Sequence, residues 1–81
     1  MRVIRRYSNR KLYDTQESHY VKLAQIAAII RAGDDIQVLE RDTGHDLTAT
    51  TMAMILLEEE KKAPKLGSAE LRKIIQTGHI S

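Results

Sequence analysis

The stretch RRYSNRKLYDT, residues 5–15, decides how the chain begins to fold. Residues 2–7, RVIRRY, are rich in β-branched and aromatic side chains and read as a strand. Strand geometry alternates the faces, so Val3, Arg5 and Tyr7 share one side and Arg2, Ile4 and Arg6 the other. Each side mixes apolar and cationic groups, which predicts that neither is fully buried. Ser8-Asn9-Arg10 supplies turn chemistry, because Asn tolerates positive φ and both Ser and Asn bond to nearby backbone. Lys11 to Asp14 returns as a second strand. The expectation is an N-terminal hairpin over residues 2–14, followed by a polar loop and a short third strand at His19-Tyr20-Val21.

Outward from the hairpin, the pattern changes period. Leu23, Ile26, Ala27 and Ile30 recur at i, i+3, i+4 and i+7, which predicts a helix over residues 23–32 ended by Gly33. Residues 36–41 alternate Ile36, Val38, Glu40 against Gln37, Leu39, Arg41 and read as a strand. With the turn Asp42-Thr43-Gly44-His45, they suggest a second hairpin over residues 36–48, with residues 46–48 as its return strand or as a lead-in to the next helix. A helix over residues 51–62 follows, capped by Thr50 or Thr51 and broken by Pro64. Its MAMILL half is apolar on nearly all sides and must be covered on more than one face. Met52, Ile55 and Leu56 are therefore candidates for an oligomer interface, with burial in a monomer's own core as the equal alternative. Residues 63–81 read as a linker and a third helix, capped by Ser68 and ended by Gly78, packing on the same domain or on a partner. The element order predicts an α+β class: short antiparallel strands and about three helices in one small domain.

Length and composition narrow the function. A chain of 81 residues buries only about 60% of the surface its unfolded form exposes, so external support is expected. There is no cysteine, which excludes disulfides and thiolate zinc sites. His19, His45 and His79 are not at metal-ligand spacing, so no metal and no cofactor is expected. A second subunit is the remaining support, so a homodimer or higher oligomer is expected. No apolar run reaches the length of a membrane span and no signal segment follows the N-terminus, which predicts a cytoplasmic protein. No phosphate-binding loop, dinucleotide fingerprint or nucleophile pattern occurs, so an enzyme is not expected.

Charge distribution is the informative property. The net charge is +2, yet residues 1–13 hold five cations and no acid. The rest of the chain holds eight cations and eleven acids, 8 − 11 = −3. All three tyrosines lie in the first 20 residues, and there is no Phe or Trp. A basic, tyrosine-bearing hairpin suits nucleic acid: guanidinium groups pair with phosphate, tyrosines stack or hydrogen-bond, and a two-stranded ribbon fits the major groove. The residue-level alternatives are a module for an anionic small ligand, such as a cyclic dinucleotide, and a protein-interaction module.

The segments RRYSNRKLYDT, HYVKLAQIAAIIRAGDDIQVLERDTGHDLT and TMAMILLEEE together resemble the N-terminal DNA-binding domain of bacterial polyhydroxyalkanoate (polyhydroxybutyrate) accumulation regulators. The resemblance spans roughly residues 2–60. Its most specific parts are Asn9-Arg10-Lys11-Leu12-Tyr13-Asp14-Thr15 and Thr43-Gly44 with Asp46-Leu47-Thr48. It implies a transcriptional regulator, a repressor of polymer-storage and phasin genes that binds double-stranded DNA and is released by the polymer. The polymer and granule proteins are partners that it implies in the family. Motif and charge together make Arg2, Arg5, Arg6, Tyr7, Asn9, Arg10, Lys11 and Tyr13 the candidate DNA-binding residues, with Asp14 and Thr15 closing the loop behind them. The chain departs from the family pattern at Ser8, where Pro is frequent, and at Lys22, where Thr is frequent.

Overall fold

The computed structural model describes residues 1–78. His79 and the last two residues of the expected C-terminal segment lie outside them. The order is β1 (Arg2–Arg6), β2 (Leu12–Asp14), β3 (His19–Val21), α1 (Leu23–Arg31), β4 (Ile36–Glu40), α2 (Thr48–Lys62) and α3 (Ser68–Thr77). The class is α+β, as the element order implied.

The four strands form one mixed sheet in the order β3-β2-β1-β4. β1 pairs antiparallel with β2, and β2 antiparallel with β3. β4 then returns on the far side of β1, parallel to it, with Ile4 opposite Val38 and Arg5 opposite Leu39. The basic hairpin therefore supplies the centre of the sheet and not an appendage.

Residues directly opposite one another share a face. Ile4, Leu12, Val21, Ile36 and Val38 lie on one face and are buried with Ile26 and Ala27 of α1 and Ile55 of α2. The mixed composition of β1 suggested that neither of its sides is fully buried, and neither is: Arg2 and Arg6 are half-buried on the helix-bearing side, and no residue of the other side is buried. Between the two arginines Ile4 is wholly buried, and Arg2 and Arg6 turn their charges onto acids.

Helix α1 starts where expected even though Lys22 has no acceptor with which to cap it. Gln25 makes up part of the loss: its Oε1 accepts the Lys22 backbone N–H at 2.7 Å. An Arg31–Glu59 ion pair ties α1 to α2.

The region of the expected second hairpin differs. Its return strand shrinks to a single bridge between Leu39 and Asp46. Helix α2 begins at Thr48, earlier than the expected residue 51. Asp46 Oδ1 accepts the Thr48 N–H at 2.8 Å, and Thr48 Oγ1 in turn accepts the Val38 N–H at 2.9 Å. Thr51, expected as a cap, is buried inside the helix and donates its hydroxyl to the Leu47 carbonyl. Helix competition explains this: the turn residues leave only one bridge of ladder to gain, while the helix gains a full turn.

Candidate nucleic-acid interface

The hairpin tip is built by three residues. The Arg10 N–H donates to Tyr7 O and the Tyr7 N–H to Lys11 O, both at 2.9 Å. Asn9 Oδ1 accepts the Lys11 N–H at 3.0 Å. Arg10 completes the loop at φ 66°, the left-handed conformation that a three-residue hairpin loop requires at its last position. Glycine is the usual occupant there. Here the chain places an exposed arginine at the tip instead.

The second face of the sheet carries no buried residue. Arg5 stands at its centre, between Tyr13 of β2 and Leu39 of β4. Tyr13 lies opposite Tyr20, and Tyr7 continues β1 on the same side. The three rings form one cluster, with centroids 6.0 Å apart for Tyr7 and Tyr13, 6.1 Å for Tyr7 and Tyr20, and 5.2 Å for Tyr13 and Tyr20. Two cations bracket the cluster. Arg41 Cζ lies 4.9 Å from the Tyr7 centroid and Lys11 Nζ 5.5 Å from that of Tyr20. Each such contact contributes on the order of 0.5–1 kcal/mol at an exposed site and also holds the charge in place.

The five cations of the N-terminal segment separate into two groups. Arg2 and Arg6 point to the helix-bearing side. Arg2 Nη1 donates to Asp14 Oδ2 at 2.9 Å, and Asp34 lies 3.7 Å from its other nitrogen. Arg6 donates twice to Glu40 Oε2, at 2.8 and 3.1 Å. Arg5, Arg10 and Lys11 have no carboxylate within ion-pair distance among the described residues. Of the candidates, Arg5, Tyr7, Lys11 and Tyr13 thus meet on the open face, with Asn9 and Arg10 at the adjoining tip. Arg2 and Arg6 are engaged elsewhere.

Asp14 anchors this arrangement from behind. Its carboxylate is buried, and burial by itself pushes the group up. The N–H groups of Glu17 and Gln16 and the guanidinium of Arg2 outweigh burial and hold Asp14 below the ordinary carboxylate value. The same residue accepts the Ser18 N–H through its carbonyl at 2.8 Å. Thr15 donates both its N–H and its hydroxyl to Val3 O. Together they close the loop that sets β3, and with it Tyr20, beside Tyr13.

Two members of the surface, Tyr20 and Arg41, were missing from the sequence-derived candidates. The period-2 alternation of Gln37, Leu39 and Arg41 was visible, but not that β4 docks beside β1 and brings Arg41 over Tyr7. Tyr20 was legible as a strand residue only; its register against Tyr13 comes from the loop closed by Asp14.

No group of three or more potential metal ligands occurs among the described residues, and no helix among them is long and apolar enough to cross a membrane.

Comparison with known proteins shows the family of the chain. Residues 3–63 match the family described as the PHB/PHA accumulation regulator DNA-binding domain. The chain belongs to that family. The matched region of the regulator domain includes every residue of the open face and the hairpin tip. A similar protein from Allochromatium vinosum, described as uncharacterised, is 37% identical over 70 residues, covering 86% of this chain and 46% of that protein. One from Thiocystis violacea, described as an uncharacterised protein in the phbA 5′ region, is 34% identical over 70 residues, covering 86% of this chain and 51% of its own length. The chain thus spans about half the length of these relatives. No solved structure matches it.

Proposed function

We propose that this regulator domain binds double-stranded promoter DNA through its open sheet face and hairpin tip, and that it acts as a repressor of polymer-storage genes, phasin genes among them. The observation that supports the reading most is the tyrosine cluster bracketed by Lys11 and Arg41, with the unpaired Arg5 at the centre of an uncovered sheet. Sequence is read by side chains that reach base edges, and position is held by contacts to phosphate. Arg5, set by register between Tyr13 and Leu39, is suited to the first task, because its fork matches the two acceptors of guanine. Arg10 and Lys11, at the tip and edge, are suited to the second. Arg2 and Arg6 position the strand through their acids and contribute little direct contact. Release by the storage polymer, and partnership with granule proteins, belong to the same proposal.

Selection of bound sequences from random duplex DNA tests it. The wild-type domain should enrich a defined site. Arg5→Ala should dissolve that site, whereas Arg10→Ala should retain it with uniformly weaker binding. A purified domain with no duplex affinity at low salt would refute the reading.

A second reading has one observation in its favour. Behind the hairpin tip lies a cleft of about 670 Å³ that Arg6, Arg10, Lys11 and Lys22 line together with apolar residues. An anionic small ligand would fit it. Saturable calorimetric binding of a nucleotide such as a cyclic dinucleotide, without duplex affinity, would select this alternative.

A further inference from the structure

We propose that the cleft behind the hairpin tip takes a small amphiphilic monoanion, one carboxylate head on an aliphatic chain, and that its occupancy weakens duplex binding. The cleft is about 670 Å³, within the roughly 300–1,000 Å³ of small-molecule sites. It opens where the tip, the end of β3 and the starts of α1 and α2 meet. Four cations line it, Arg6, Arg10, Lys11 and Lys22, and no acid does. Arg6 is committed to Glu40. Arg10, Lys11 and Lys22 are exposed and have no carboxylate within ion-pair distance among the described residues. Other clefts of the molecule carry acids: Glu59 in the three grooves along α2, and Asp34 and Asp35 in the pocket at Arg2. The charge of this cleft therefore selects an anion.

The walls define the rest of the ligand. Leu12 and Val21 are buried, Leu23 and Leu47 are half-buried, and Met54 is exposed at 45%. An aliphatic chain laid across the open ones takes their surface out of water. The neutral polar side chains are Tyr20, Thr50 and Thr51, and the Thr51 hydroxyl is already donated to the Leu47 carbonyl. No amide or carboxylate side chain lines the cleft to pair the edge of a nucleobase, and burying such an edge without partners is costly. A carboxylate on an aliphatic chain needs only the cations at the mouth. Arg10 and Lys11 belong to both surfaces. Lys11 Nζ lies 5.5 Å from the Tyr20 centroid, at the border between the open face and the cleft. An acid head held there draws on the two cations assigned to phosphate, so ligand and DNA compete for them. That coupling rests on the DNA reading of the hairpin tip, whereas the ligand site does not. By linkage, duplex lowers ligand affinity by the same factor as ligand lowers duplex affinity.

Octanoate is the probe, and octanol its neutral counterpart. Titration into the isotope-labelled full chain, without DNA, should shift the methyl signals of Val21, Leu23, Leu47 and Met54 saturably, with a midpoint below about 1 mM. Octanol should bind about tenfold more weakly or not at all. Lys22→Glu reverses a charge at the mouth and places an acid at a helix start, where it is tolerated. It should keep its circular dichroism and weaken octanoate roughly tenfold. Met54→Gln, at an exposed position, should weaken it as well. Octanol as strong as octanoate, shifts centred on the groove of Ile30 and Leu56, or a midpoint that neither variant moves overturns the site. A cyclic dinucleotide that binds the cleft more tightly than octanoate overturns the aliphatic class. Flotation with phosphatidylglycerol vesicles, in the absence of octanoate binding, assigns the chemistry to a membrane surface and overturns a free ligand. Anisotropy of a labelled duplex tests the coupling: saturating octanoate should lower duplex affinity about fivefold or more relative to an equal concentration of acetate. Unchanged duplex affinity overturns the coupling alone. A chain without duplex affinity at low salt overturns the DNA reading and the coupling together, and leaves the ligand site standing.

Discussion

Arg10 holds a backbone conformation that costs a non-glycine residue on the order of 1 kcal/mol, and it holds it at the tip of the basic hairpin. Substitution separates its two properties. Arg10→Gly should leave the unfolding free energy unchanged or raise it by up to about 1 kcal/mol, as seen by urea denaturation, since relief of strain is offset by the freer unfolded glycine. The same variant should bind duplex DNA more weakly and lower the salt slope by about one unit. A variant that loses stability would show that the side chain and not the backbone governs that position. Asp14 is the second residue where local physics gives a definite outcome. Its folded-state value is depressed below 3.8, so its contribution to stability is complete above that value. The contribution is lost as pH falls through the lower folded value. Urea midpoints should therefore drop below about pH 4, and Asp14→Asn should flatten that part of the profile. At neutral pH the Asn variant should cost about 3 kcal/mol, the low end for breaking a buried pair, since Arg2 keeps Asp34 nearby.

At the scale of elements, α1 has an N-cap residue in the right backbone conformation with the wrong side chain. Lys22 sits at φ −98° and ψ 164°, and Gln25 already provides one half of a capping box. Lys22→Thr should complete it and raise stability by roughly 0.5–1 kcal/mol, measurable as an increase in thermal midpoint. The helices and the first hairpin were legible from sequence because their signals are local. Leu23, Ile26, Ala27 and Ile30 repeat at helical spacing, and Ser8-Asn9 carries its own turn chemistry. The segment at residues 42–48 was not legible in the same way. Its Thr and Gly residues fit a hairpin turn and a helix cap equally well, and the choice fell to Asp46 and Thr48, whose side chains bond backbone N–H groups of α2 and β4.

Across the whole molecule, charge placement makes the strongest prediction. Five head cations on phosphate would reduce duplex affinity about 500-fold between 50 and 200 mM salt. The structure engages Arg2 and Arg6 with acids and adds Arg41 to the open face. With Arg5 reading bases, three phosphate contacts, from Arg10, Lys11 and Arg41, reduce affinity about 40-fold over the same range. Fluorescence anisotropy with a labelled duplex distinguishes the two slopes, and Arg41→Ala should lower the slope by about one unit whereas Arg6→Ala should not.

The sequence by itself determined the α+β class, the basic hairpin, the period of each helix and the membership that its motifs carry, because each of these is written in neighbouring residues. Tertiary structure alone decided which arginines are free. Arg2, Arg5 and Arg6 are chemically alike and lie within five residues of one another. The pleat sends Arg5 to one face and Arg2 and Arg6 to the other, and the acids that neutralise those two are Asp14, Asp34 and Glu40. Arg41 and Tyr20 joined the surface for the same reason. A parallel fourth strand and a loop closed by a buried carboxylate set them there, and both are contacts between residues far apart in sequence.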